Sequence, residues 1–245
     1  MPKRKLNQDS NAKKIKNIAK KCSRNAYIPV LSNELSDKES VLESKFGGTP
    51  FISRKHKWPK CECGTKMTFF LQINSDHLPT KLNFDEVFGQ GLLQFFYCTK
   101  CDDYQPNTDK HKVRIIQPTE LVDKKVKKPI SFEHKNTFEY RKIADWKEEP
   151  DFPRYDEAAL ELNDAEMQDY ENDYSPKSCD KLKGWPAWIQ GIEYPCCPIC
   201  SKQMRYIFQL ESERNVDYMF GDSGNGHISQ CKDHPEQLTF TWACG

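Results

Sequence analysis

The sequence predicts a mainly β protein of the α+β class, built from internally duplicated antiparallel β units with short helices and two zinc knuckle-type sites. Three observations predict it. Short runs of Phe, Tyr, Ile and Leu are bounded by Gly, Pro and Asn, which is the signature of strands and turns. Two such stretches, about 46–142 and 181–245, resemble each other. Each carries four metal-type ligands in the same order.

The repeat is colinear. Gly48-Thr49-Pro50 leads to Trp58-Pro59, as Gly184-Trp185-Pro186 leads to Tyr194-Pro195, at a constant offset of 136. Cys61 and Cys197 keep that offset, and one inserted residue then makes it 137. Cys63, Met67 and Gln72 align in this way with Cys200, Met204 and Gln209. Met67 and Met204 open matching apolar runs. Further on, Gly91 precedes Cys98 by seven residues, and Gly224 precedes Cys231 by seven.

Within the first unit Cys61 and Cys63 pair with Cys98 and Cys101. Within the second, Cys197 and Cys200 pair with Cys231 and His234. Zinc takes four tetrahedral thiolate or imidazole ligands, and two short-spaced pairs on two turns meet that geometry. Four filled positions make a structural site rather than one that activates water, so two structural Zn2+ ions are expected. Cys244 competes with His234 for the last position of the second set. Cys22, Cys179 and Cys196 have no counterpart in the repeat and read as plain thiols.

The rest of the chain is polar. Residues 1–25 form a basic arm, read as flexible with a helical stretch at 11–21. Lys3, Arg4, Lys5, Lys13, Lys14 and Lys16 there are candidate nucleic-acid contacts and resemble a nuclear localisation signal. Residues 26–245 form the domain. Between its repeats lies an acidic connector, about 144–174, with twelve acids against Lys147 and Arg154, and a short helix expected over Tyr155 to Tyr170. Net charge is +1 and decides nothing about partners. No run reaches the ~20 apolar residues of a membrane span. The charged N-terminus is unlike a secretory signal, so a cytoplasmic and/or nuclear protein is expected and the eleven cysteines point to metal rather than disulfides.

Several segments resemble the YwqG-like family of uncharacterised proteins. They are Gly47-Gly48-Thr49-Pro50, Trp58-Pro59, Met67 to Gln72, Gly91 to Phe96, Trp146 to Pro153, Phe220 to Gly224 and Phe240-Thr241-Trp242. The resemblance covers about 44–245 and implies a mostly β, internally duplicated domain without a defined reaction. A more remote likeness runs to the programmed cell death protein 2 family, whose members escort a ribosomal protein during ribosome biogenesis.

Other motifs carry less. Gly221-Asp222-Ser223-Gly224 matches the tetrapeptide around a serine-protease nucleophile, but lacks the triad context and reads as a turn feeding a strand. Asp222 and His227 are the residues a hydrolase would use, and His227 reads as exposed or near the metal. Lys124, Lys125, Lys127 and Lys128, followed by Phe132, Phe138, Tyr140, Arg141 and Lys142, form a 124–142 patch that could hold RNA. The favoured expectation is a non-enzymatic, zinc-stabilised adaptor or escort for another protein, with RNA binding as the alternative and a hydrolase third.

Overall fold

The computed structural model describes residues 2–33, 39–52, 55–101, 110–121, 136–158 and 160–245, with side chains described from residue 11. Ten strands make one sheet: β1 (Arg24–Leu31), β2 (Lys45–Phe46), β3 (Thr68–Asn74), β4 (Leu92–Tyr97), β5 (His111–Ile116), β6 (Arg141–Asp151), β7 (Lys181–Lys183), β8 (Arg205–Glu211), β9 (Asn225–Gln230) and β10 (Leu238–Ala243). Their order is β10-β9-β8-β7-β1-β6-β2-β3-β4-β5, and every neighbouring pair is antiparallel.

The two halves meet at a crossed pair. The strand that leads the first unit, β1, is hydrogen-bonded to β7 of the second. The strand that leads the second, β6, is bonded to β2 of the first. β1 and β6 then pair with each other from Arg24↔Asp151 to Leu31↔Ile143. Each half therefore completes its sheet with the other half's first strand.

The two ends of the sheet curl together. The His111 ring on β5 accepts the backbone N–H of Phe240 on β10 at 3.2 Å. The Trp242 indole donates to the Tyr97 hydroxyl at 3.1 Å, and the rings of Phe95 and Phe240 lie 4.3 Å apart. Side chains, not a strand ladder, nearly close the barrel. The enclosed core is dominated by aromatics from both halves, among them Phe70, Phe95, Phe208, Phe220 and Phe240.

Hydrogen bonds recur between the halves at the offsets of the sequence repeat. Both β3 and β8 carry a bulge at the equivalent place, between Phe69 and Leu71 and between Tyr206 and Phe208. Both strands are covered on the outer face by a strap of chain, whose backbone polar groups need partners once buried. A fully buried glutamine supplies them. Gln72 donates to the carbonyls of Val41 and Glu43 and accepts from the N–H of Phe51. Gln209 donates to the carbonyls of Lys177 and Cys179 and accepts from the N–H of Ala187.

Two sequence expectations need correction here. The arm, read as flexible outside a helical stretch at 11–21, is one longer α-helix, α1 (Pro2–Cys22). Ile15 and Ala19, four residues apart and so on one face, pack against Tyr170 of α3 (Asp164–Tyr174). Lys14 reaches both carboxylate oxygens of Glu166 at 2.8 Å. That ion pair offsets charge that reads as mutually repelling in the sequence. The connector is also more ordered than its acidity suggests. Its first part belongs to β6, and its helix starts at Asp164 rather than Tyr155, behind an Asn163/Glu166 capping box. A four-residue helix, α2 (Pro118–Leu121), follows β5.

Candidate metal centres

Each ligand set is assembled from two turns at the ends of neighbouring strands. In the first half, the turn before β3 bonds Cys61 N–H to the carbonyl of Thr65 and Gly64 N–H to that of Cys61, with Gly64 at φ +82°. In the second, the turn before β8 bonds Cys197 N–H to the carbonyl of Lys202 and Ser201 N–H to that of Cys197, with Ser201 at φ +57°. The residue inserted between the repeats is taken up here. The other two ligands of each set sit where β4 and β9 end, at Cys98 and Cys101 and at Cys231 and His234.

The eight ligands of the sequence repeat gather as two sets, with the ligand atoms of each set all within 4.8 Å of one another. In the first, sulfur–sulfur distances are 3.6 Å for Cys61–Cys101, 3.8 Å for Cys63–Cys98 and 3.5 Å for Cys98–Cys101. In the second, Cys200–Cys231 is 3.6 Å, and the Nδ1 of His234 lies 3.8 Å from the Cys197 sulfur and 3.7 Å from that of Cys231. A tetrahedral zinc with Zn–S bonds of about 2.3 Å spaces its sulfurs by about 3.8 Å. Disulfide sulfurs would be about 2 Å apart. All eleven cysteines are free thiols. Both sets could therefore hold a metal ion.

Proton affinities show the same logic. The hydroxyl and backbone of Thr65 pull exposed Cys63 down to about 6. Its thiol neighbours Cys63 and Cys98 push Cys101 up. At Cys197 burial raises the thiol, but backbone N–H groups of Cys200 and Ile199 outweigh it and bring the value to about 7. Four clustered thiols cannot all ionise side by side, and a central cation removes that conflict.

His234, not Cys244, sits in the second set. Cys244 instead packs over Gly221, where a Cβ would collide with its sulfur. Cys179 is buried and Cys196 is exposed, both outside the sets. His227 differs from expectation. It is 2% exposed, its Nε2 lies 3.2 Å from Gln209 Oε1, and its ring packs on Trp188. Asp222 is exposed in the turn before β9, where Gly221 and Ser223 take positive φ. Gly224 is needed there for a different reason, since a Cβ would strike the Ala243 carbonyl.

The basic candidates divide. Lys3, Arg4 and Lys5 lie in α1 ahead of the described side chains. Lys13 and Lys16 are exposed, and Lys14 is paired with Glu166. Lys124, Lys125, Lys127, Lys128 and Phe132 lie outside the described residues. The remaining aromatics of that patch turn inward or pair: Phe138 packs on Phe70 at 4.7 Å, and the Tyr140 hydroxyl donates to Glu43 at 2.7 Å.

Two buried ion pairs are not foreseen from the sequence, although the repeat marks their lysines. Lys45 and Lys181 stand 136 residues apart, and both are fully buried. Lys45 reaches Glu39 at 2.7 Å, and Lys181 reaches Asp151 at 2.7 Å.

A nearly closed antiparallel sheet, with one Cys/His ligand set at matching turns of each half, defines a β protein with paired metal-type centres. The chain belongs to the family described as domain of unknown function (DUF1963), whose pattern it matches over residues 44–242. It is also similar to the "Uncharacterized protein YpfL" of Salmonella typhimurium, at 34% identity over 79 residues. That stretch is 32% of this chain and 17% of the relative, so the chain spans only a small part of that relative's length. Among the described residues, no helix is long and apolar enough to cross a membrane.

Proposed function

We propose that this is a non-enzymatic binding module, held together by two structural zinc ions, that acts as an adaptor or escort for another protein. The observation that carries the reading is the completeness of both ligand sets. A sphere of four thiolates, or of three thiolates and one imidazole, leaves no coordination position for water or substrate once filled, so the metal serves the fold. The protein-partner part draws on the remote resemblance to the programmed cell death protein 2 family.

Metal content of the purified chain tests the reading, with circular dichroism before and after chelation. Zinc near two equivalents and unfolding on its removal are expected. A folded, metal-free protein with reactive Cys63 and Cys200 would sink the proposal. RNA binding through Lys13, Lys16 and their neighbours on α1 is the second reading. It is recognised by an RNA affinity that falls steeply with salt, which an apolar protein interface does not show.

A further inference from the structure

A groove of about 610 Å³ opens between β1, the start of β8 and the turn after β7. Arg24, Lys183 and Arg205 line it, with Glu86 the acid among its lining residues. Tyr27, Tyr194 and Tyr206 line it as well. The volume falls in the range of small-molecule sites.

The repeat makes the cations informative. Lys183 is the counterpart of Gly47 at offset 136, and Arg205 is the counterpart of Thr68 at offset 137. The first half thus has no charge at either place. Lys183 also keeps a backbone that suits the glycine it replaces: φ is +59° at Lys183 and +55° at Gly47. A side chain held in the left-handed region is strained, and such strain concentrates where a side chain is needed. Its partner is weak, because Glu86 is 3.9 Å away and 68% exposed.

Arg205 is held in place by neutral acceptors, with Asp85 and Glu86 acting on it only from beyond ion-pair distance. It donates to the Asp85 carbonyl at 3.0 Å and to Gln230 Oε1 at 2.6 Å, while its buried Nε has no partner. Arg24 stacks on Trp185, 3.3 Å from the ring centroid. Among the described residues, no carboxylate lies within ion-pair distance of Arg24 or Arg205. Preorganised guanidinium groups of this kind favour phosphate oxygens.

We infer that the groove binds a small phosphate-bearing ligand, with the phosphate held by Arg24, Lys183 and Arg205 and a flat body laid against the tyrosines. The site is separate from the metal sets, although Met204, which packs beneath the second set, forms part of its wall.

Calorimetric titration of the full chain as purified, with adenosine monophosphate and with adenosine, tests this. The monophosphate should bind, weaken as salt rises, and exceed adenosine by about tenfold or more, as charge-assisted contacts require. Lys183→Gly is the decisive variant, because glycine is the native residue at this φ in the other half. It should fold as well as the parent, keep its metal content, and bind the monophosphate about tenfold more weakly. Glu86→Gln, at an exposed position, should tighten binding by removing the repelling carboxylate. Equal affinity for adenosine and its monophosphate, no binding at low millimolar concentration, or unchanged binding in both variants would overturn the inference. Metal content, measured on each variant, separates failure here from failure of the zinc reading.

Discussion

The first half of the sheet gathers four cysteines, and the second gathers three cysteines and a histidine, yet the turns that present them make the same backbone hydrogen bonds. Beneath the outer straps the contrast recurs. Gln94 in the first half donates to the Phe51 carbonyl and to Gln72. Its counterpart in the second half, at offset 133, is His227, and the equivalent Ala187 carbonyl is served by Asn225 instead. The buried lysines differ as well: Asp151 is 0% exposed, whereas Glu39 retains 23%. What the halves share is whatever satisfies buried backbone. What they vary is which side chain does so.

The largest expected effect tests whether the two ligand sets are equally necessary. Cys231→Ser, or Cys98→Ser in the other half, should each remove about one zinc equivalent and destabilise the chain by at least ~5 kcal/mol, given that structural zinc contributes about 10–16 kcal/mol. Atomic absorption and thermal melts would check it. A variant that melts like the parent would show that its half folds without metal.

The buried ion pairs come next. Asp151, itself fully buried, accepts from Lys181 and from the N–H groups of Lys177 and Trp185. Asp151→Ala should therefore cost about 3–5 kcal/mol, the range for leaving a buried charge unpaired. Glu39→Ala should cost less, about 1–2 kcal/mol, because Lys45 keeps the Ser40 carbonyl at 2.8 Å and the site is partly open to water. Urea titrations that gave the reverse order would refute the assignment of Asp151 as the better-buried partner.

His227 offers a pH test. Burial above all, and then the charge of Lys181, lower it from 6.5 to about 3. The unfolded chain takes up this proton near 6.5, and the folded chain resists it until about 3. Stability from this residue is thus complete above pH 6.5 and is lost as pH falls through that window. His227→Gln, which copies Gln94 of the first half, should flatten the loss relative to the parent over the same range. An identical pH profile in both would discard the explanation.

The smallest effect is expected for His234→Cys, which makes the second ligand set a copy of the first. Zinc content should stay near two and stability should change by only about 1 kcal/mol. Loss of that zinc would mean that the turn after β9 tolerates imidazole but not thiolate.

The ligand sets were legible because their spacing is local and repeated. The colinear offset fixes Cys61, Cys63, Cys98 and Cys101 against Cys197, Cys200, Cys231 and His234 without knowledge of the sheet. The same alignment favoured His234 over Cys244, because His234 follows Cys231 by three residues as Cys101 follows Cys98. What the sequence left open was the fate of Cys244, which packs over Gly221 across the chain's last hairpin. The arm's helix was legible over 11–21, but its packing was not, because α1 is polar along most of its length and the face carrying Ile15 and Ala19 finds its partner some 150 residues away. β6 was hidden among acids because its outward residues are charged while Ile143, Trp146 and Asp151 point inward.

By itself the sequence determined the mainly β class, the duplicated order and the two four-ligand sets, because each rests on periodicity or on spacing along the chain. Only the tertiary structure decided that β1 and β6 cross between the halves, that side chains nearly close the sheet, and that Lys45 and Lys181 pair in the interior. It also decided that Arg24, Lys183 and Arg205 converge on one groove. Those outcomes depend on long-range pairing and burial, where residues far apart in the chain must satisfy one another's hydrogen bonds and charge, and no local pattern records which of them will meet.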